Sequence, residues 1–146
     1  MNGIIVAIST SKKKGVPKSN LENARLIEDK GIDGDIHAEG GVRQISLLAS
    51  ESIEKMRSKG LKVRPGSFAE NITTADIDLL NLNINDRIRL GGSTILEISQ
   101  KGKVCHKPCA IYYRAGDCVM PKEGVFGRVV KGGVIKVGDS IEVINV

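Results

Sequence analysis

The sequence predicts a mainly β protein closed into a barrel, with a few short helices, and three observations predict it. Short runs rich in isoleucine and valine recur along the chain with Gly, Asn or Asp between them, the pattern of strands joined by turns. Helical signals are confined to two brief segments. So many short strands with so few helices to cover them favour a sheet that closes on itself and leaves no long edge bare. At 146 residues a single domain, 1–146, accommodates the chain. A domain of that size buries roughly two-thirds of its unfolded surface, so neither a metal nor a disulfide is needed to hold it together.

In chain order, the predicted strands are GIIVAIS (3–9), QISLL (44–48), DRIRLG (86–91), TILEISQ (94–100), GVFGRVV (124–130), GVIKVGD (133–139) and SIEVINV (140–146). The clearest helix is 51–59. Ser50 is placed to cap it, Glu51 and Glu54 suit its positive end, and Gly60 follows as the stop. A second short helix is expected over 108–116, where CAIYYRA follows Pro108 at the permitted first position. TSKKKGVPKSN (10–20) is basic and rich in turn formers, and reads as a mobile loop whose lysines are solvated or meet an anionic ligand. No internal repeat and no second composition regime appears.

The apolar run in MNGIIVAIST is too short for an export signal, and no apolar stretch approaches the ~20 residues of a membrane span. A cytoplasmic protein without a membrane partner is the expectation. Its three cysteines, Cys105, Cys109 and Cys118, are then thiols rather than a disulfide framework. The formal charge of +5 is unevenly placed: residues 101–146 hold eight Lys/Arg against four Asp/Glu. A basic region around the cysteines favours an anionic partner. A nucleic acid ranks last, because the four aromatics (Phe68, Tyr112, Tyr113, Phe126) are scattered and single-strand binders use stacking platforms.

Four stretches hold more polar residues than a barrel core requires. In GIDGDIHAEGG (31–41), Asp35 and His37 stand two apart, on one side if the backbone is extended. The alternative is a turn in which Asp35 bonds backbone amides. In GGVRQISLL (40–48), the Arg43 guanidinium has the planar fork that grips phosphate, or it forms a surface ion pair; Gln44 follows it. In RPGSFAENIT (64–73), Glu70 and Asn71, with Phe68 close by, offer the acceptors and donors a heterocycle's edge needs, or an ordinary turn. In ISQKGKVCHKPC (98–109), Lys101, Lys103, His106 and Lys107 surround Cys105, and positive charge stabilises thiolate, making the sulfur nucleophilic and suited to carrying sulfur. A zinc knuckle would want paired C-x₂₋₄-C ligands; Cys105 and Cys109 are spaced C-x₃-C without a second pair, and packed inert cysteine is the remaining alternative.

Taken in order, GDIHAE (34–39), RQISLL (43–48), GSFAENIT (66–73), LEISQKGKVC (96–105) and GVFGRVVKGGVIKVGDSI (124–141) resemble the successive motifs of the MOSC family, named for the C-terminal domain of molybdenum cofactor sulfurase. The resemblance implies a MOSC-type β-barrel, recognition of the pyranopterin molybdenum cofactor (molybdopterin), and a role in sulfur transfer or cofactor-dependent redox chemistry. In the family, a cysteine after the strand ending in a Ser/Thr-Gln pair is the proposed sulfur carrier. Counted from Ser99-Gln100, it falls on Cys105, as sulfur carrier or molybdenum ligand. Asp35, His37, Arg43, Gln44, Glu70 and Asn71 match the family's polar motifs. Arg43 and basic residues near Cys105, Lys103 among them, would hold the phosphate, and Glu70 and Asn71, beside Phe68, would read the pterin.

Larger relatives carry a pyridoxal-phosphate desulfurase or redox modules, for which this chain has no room. The expected partners are therefore a sulfur donor such as a cysteine desulfurase, or an electron-transfer protein. No lysine stands out as a Schiff base, so pyridoxal phosphate is not expected in this chain. As an enzyme it would transfer sulfur to the cofactor, or serve as a molybdenum-dependent reductase component acting on N-hydroxylated bases. A non-catalytic cofactor carrier is the reading from outside the enzyme class.

Overall fold

The computed structural model describes residues 2–11, 18–36, 38, 40–41, 44–68, 70–102 and 123–144. Among these, eleven strands follow in order: β1 (Asn2–Thr10), β2 (Ser19–Leu21), β3 (Asn23–Ile27), β4 (Gly31–Ile32), β5 (Ile45–Ala49), β6 (Ile72–Ala75), β7 (Arg87–Leu90), β8 (Thr94–Lys101), β9 (Val125–Lys131), β10 (Gly133–Lys136) and β11 (Ser140–Ile144). All seven runs read as strands from the sequence are strands. β2, β3, β4 and β6 were not anticipated. The helix expected over 108–116 and the centre of the expected 10–20 loop lie outside the described residues.

Seven strands form a closed ring in the order β1, β11, β7, β8, β9, β5, β6, with β2 continuing outward from β1. Closure comes from β11 meeting β1, Asn2 opposite Glu142 and Ile4 opposite Ser140. Within the ring only β5 and β6 are parallel, Leu47 opposite Ile72 and Ala49 opposite Thr74. A parallel pair needs a crossover rather than a tight turn, and helix α1 (Ser50–Ser58) with the connector that follows supplies it. A second sheet, β10-β3-β4, lies against β9, where the Asp29 N–H donates to Val129 O at 2.9 Å.

The barrel interior is aliphatic: Ile5, Ile8, Ile45, Leu47, Ile72, Ile88, Leu96, Ile98, Val129 and Ile141 form one buried cluster. β5 is buried on both faces. Ile45 and Leu47 point into the barrel, while Leu48 on the other face packs with Ile53 and Met56 of α1 and with Val63, Phe68 and Phe126. That double burial explains why Leu47 and Leu48 are apolar in succession instead of alternating with a polar residue.

α1 differs from expectation at its start. Its N-cap is Ala49, which keeps the extended backbone of β5 (φ −70°, ψ 140°), and no side chain caps the helix. Because the strand runs straight into the helix, Ser50 is already helical, and its hydroxyl donates to Glu51 Oε1 at 3.2 Å. The end matches the sequence reading. Gly60 adopts φ +89°, its N–H reaches Arg57 O at 2.9 Å and the Leu61 N–H reaches Met56 O at 3.4 Å. Those two bonds are the left-handed glycine cap that satisfies the last carbonyls. Leu61 closes it by packing on the cluster that contains Met56.

The ladders also fix which segments share an end of the barrel. Lys101 is opposite Val125, Leu47 is opposite Val125, Ile4 is opposite Ala75 and Ile144 is opposite Arg87. One end therefore gathers the start of α1, the residues after β6, and the two feet, Gly102 and Glu123, of segment 103–122, which contains all three cysteines. The other end gathers Ser11, Lys18 and residues 66–68 and 70–71. No helix among the described residues is long and apolar enough to cross a membrane.

Candidate functional site

The end away from the cysteine segment is built around two buried carboxyl groups. Asp35 Oδ1 accepts the Lys18 ammonium at 2.6 Å and the Ser11 N–H at 3.0 Å, and both side chains of the ion pair are 0% exposed. The Ile36 N–H adds a bond to Ser11 O at 2.7 Å. Asp35 thus holds both feet of the β1–β2 hairpin loop. Lys18 corrects the sequence reading of 10–20 as a solvated loop open to an anionic ligand, because its ammonium is buried on Asp35. A charge is tolerated at full burial only when paired and hydrogen-bonded, and Asp35 provides that.

From Lys18 the bonds continue into the turn before β6. The Lys18 N–H donates to Gly66 O at 2.9 Å. The Gly66 N–H donates to Glu70 Oε2 at 2.9 Å and the Phe68 N–H to Glu70 Oε1 at 3.1 Å, while the Thr73 hydroxyl reaches Oε2 at 3.2 Å. Burial raises the Glu70 pKa above its usual 4.5, against the opposing pull of these donors. Gly66 is required here. Its φ is +97°, and a Cβ would lie 2.5 Å from Lys18 O.

Asn71 joins three strands. Its Oδ1 accepts the Ser46 N–H at 3.0 Å and the Ser46 hydroxyl at 3.1 Å, and its Nδ2 donates to Ser9 O at 3.1 Å. Gln44, 0% exposed, performs a similar task between the two sheets. Its Nε2 donates to Asp29 Oδ1 at 3.1 Å and Gly41 O at 2.9 Å, and its Oε1 accepts the Val129 N–H at 2.9 Å. Phe68 lies in the apolar cluster under α1 with Phe126.

Of the residues singled out from the sequence, the structure thus brings Asp35, Glu70 and Asn71 into one buried hydrogen-bonded region, which Phe68 joins through its N–H while its side chain packs elsewhere, and sets Gln44 apart from it. His37, Arg43, Lys103 and Cys105 lie outside the described residues, as do Cys109 and Cys118. Lys18, Ser11 and Ser46 were missed. Nothing local separates Lys18 from Lys12, Lys13 and Lys14, since its burial depends on Asp35, 17 positions away.

At the other end, the strand pair β8–β9 closes a neck beneath the cysteine segment. The Gly102 N–H donates to Gly124 O at 2.6 Å. Gln100 Nε2 donates to Gly102 O at 2.8 Å and the Ser99 hydroxyl to Phe126 O at 3.2 Å. Lys101 Nζ donates to Leu80 O at 2.6 Å. Glu123, on the returning foot, accepts the Ser52 hydroxyl on Oε1 at 2.7 Å and the Lys55 ammonium on Oε2 at 2.6 Å. Beside the neck opens a cleft of about 410 Å³, floored by Ile77, Leu79 and Leu80 and edged by Glu51, Asp76 and Glu123.

A closed seven-stranded barrel with one parallel pair, whose β8 and β9 carry a long cysteine-bearing insertion after a Ser-Gln pair, defines a MOSC-type domain. The chain belongs to that family: the MOSC domain model matches residues 33–142. The family is associated with the molybdenum cofactor. Among solved structures, the chain is similar to the YuaD protein from Bacillus subtilis, with a TM-score of 0.81 at 19% identity over 98% of this chain and 96% of that one. It is also similar to YiiM from Geobacillus stearothermophilus (TM-score 0.74, 20% identity, 98% of this chain and 75% of that one). YiiM from Escherichia coli gives a TM-score of 0.71 at 19% identity, over 100% of this chain and 71% of that one. At these identities the likeness speaks for the fold. No curated protein sequence matches the chain.

Proposed function

We propose that this chain binds the pyranopterin molybdenum cofactor and that Cys105 is its working residue, carrying sulfur or ligating the metal. The observation that carries the reading is the neck. Near the end of β8 the Ser99 hydroxyl bonds Phe126 O of β9, while the Gln100 amide bonds Gly102 O on its own side of the neck, so the segment that follows the family's Ser-Gln pair starts from a fixed point. The donor set fits in part. A thiolate is a soft ligand, and the Arg43 guanidinium and Lys103 ammonium suit a phosphate. Glu70 and Asn71 are a poorer fit to a pterin edge, because the oxygens of both are occupied by the protein's own donors. In this proposal Asp35, Glu70 and Asn71 hold the fold at the barrel end opposite the neck, and Gln44 holds the two sheets together.

Bound, the cofactor would supply a metal centre able to accept sulfur or electrons. Cys105, held as thiolate by Lys101, Lys103, His106 and Lys107, would take terminal sulfur from a donor's persulfide, or bind the metal through the same atom. Native mass spectrometry of protein from a cofactor-competent host tests this, with Cys105→Ser alongside. The cofactor mass should appear on wild type, and the variant should lose sulfur transfer or metal retention. A wild type free of bound mass, or a variant indistinguishable from it, would defeat the reading.

A further inference from the structure

We infer that the cleft beside the neck binds a small organic cation with an apolar body and a hydroxyl at its far end, Asp76 meeting the charge and Thr74 the hydroxyl. The cleft holds about 410 Å³, a volume in the range of small-molecule sites. Its walls come from the end of β5, the start of α1, the turn after β6 and Glu123. Ile77 and Leu79 belong to the barrel cluster and Ala49 packs against it, so the floor is the open end of the barrel core.

Thr74 is the residue that the fold alone leaves unexplained. It is 0% exposed, and its Oγ1 has no hydrogen-bond partner among the described residues. A buried hydroxyl without a partner is destabilising and uncommon in native proteins. The ladder sets its direction. Thr74 is opposite Ala49, and residues opposite each other in a sheet share a face. Ala49 lines the cleft, so the unmet hydroxyl is turned to the same side, at the base of the floor.

The rim supplies the charge. Among the described lining residues Glu51, Asp76, Asp78 and Glu123 are carboxylates and none is a lysine or arginine, in a chain whose formal charge is +5. Three of the four have protein partners: Glu123 accepts from Ser52 and Lys55, Glu51 from the Ser50 hydroxyl and Asp78 from Asn81 Nδ2 at 2.5 Å. The exposed Asp76 carboxylate has neither a hydrogen bond nor an ion pair among the described residues. Lys101 is engaged at Leu80 O. A rim of this sign repels phosphate, so the cleft is separate from any phosphate grip and the inference stands without the reading of Cys105.

Three probes built on one ring separate the parts. Tyramine carries an ammonium and a phenol, phenethylamine lacks the phenol hydroxyl, and hydroxyphenylpropionate has a carboxylate in place of the ammonium. Their affinities for the full chain are read by chemical-shift titration at neutral pH and low salt, in wild type, Asp76→Asn and Thr74→Val. Asn tolerates the left-handed backbone of position 76, φ +63°. Tyramine should bind about tenfold more tightly than the anion. Asp76→Asn should weaken both amines about threefold, and Thr74→Val should weaken tyramine about threefold while leaving phenethylamine unchanged. Because the hydroxyl is unpartnered without a ligand, Thr74→Val should melt no lower than wild type. Tyramine that fails to bind at about 10 mM, an anion that binds as well, or Asp76→Asn without effect overturns the inference. So does a Thr74→Val protein that loses both amines equally or melts well below wild type, since the hydroxyl would then serve the fold.

Discussion

Two lysine–carboxylate pairs in this molecule have the same length and opposite surroundings. Lys18 and Asp35 meet at 2.6 Å with both side chains 0% exposed. Lys55 and Glu123 meet at 2.6 Å with the lysine 62% exposed. Distance alone would rank them equal. Burial separates them, because a buried partner left alone is an uncompensated charge in a poor solvent, whereas an exposed partner left alone is rehydrated. One pair belongs to the fabric of the fold and the other ties Glu123, just before β9, to helix α1.

The largest expected effect is therefore at the buried pair. Lys18→Met leaves the Asp35 carboxylate with the Ser11 N–H but without its cation, and should cost about 3–5 kcal/mol. Adding Asp35→Asn removes the orphaned charge, so the double variant should be more stable than Lys18→Met alone. Urea denaturation of both checks this. A Lys18→Met protein within about 1 kcal/mol of wild type, the scale of an exposed pair, would erase the distinction between the two pairs.

The same contrast marks how much was legible in the sequence. The barrel was, because its strands announce themselves as Ile/Val runs between turn residues, and so was the end of α1 at Gly60. β6 was not: of Ile72-Thr73-Thr74-Ala75, both threonines are 0% exposed, and polar residues inside a strand mask its pattern. Thr74 Oγ1 has no hydrogen-bond partner among the described residues. Gln44, Glu70 and Asn71 did stand out as polar residues where an apolar pattern was due. Such a residue shows that something must satisfy it, but its own identity does not say whether a ligand or the backbone does so. Here the donors are Val129, Gly66, Phe68 and Ser46, of which Val129 and Ser46 are distant in sequence. Lys18 is the extreme case, a lysine in a basic stretch whose partner appears only once the hairpin is folded.

An intermediate effect, with a defined pH dependence, is expected at Glu70. Burial raises its folded-state pKa above the usual 4.5, so between 4.5 and the raised value the native protein binds more protons than the unfolded chain. Stability from this group is then fully present below 4.5 and declines as pH rises through that window. Glu70→Gln cannot titrate. The stability of wild type relative to Glu70→Gln should accordingly fall as pH rises from acid toward neutral, read as the difference between their urea midpoints at each pH. A difference that grew with pH would mean that the Gly66, Phe68 and Thr73 donors outweigh burial and depress the pKa.

The smallest stability effect belongs to the exposed pair, and its smallness is the informative part. Lys55→Ala removes the ammonium from Glu123, keeps the Ser52 hydroxyl in place, and exposes nothing that water cannot reach. A double-mutant cycle of Lys55→Ala with Glu123→Gln should give a coupling of about 0.2–1 kcal/mol. The coupling should shrink in 1 M salt, where the Debye length is about 3 Å. The Lys18–Asp35 pair, closed off from solvent, should show no comparable salt dependence. If the Lys55–Glu123 coupling instead reached several kcal/mol and ignored salt, Glu123 would be holding the barrel end together and the two pairs would no longer differ in kind. A weak, salt-sensitive coupling leaves the fold standing when Glu123 is altered, as expected where water can replace the lost partner.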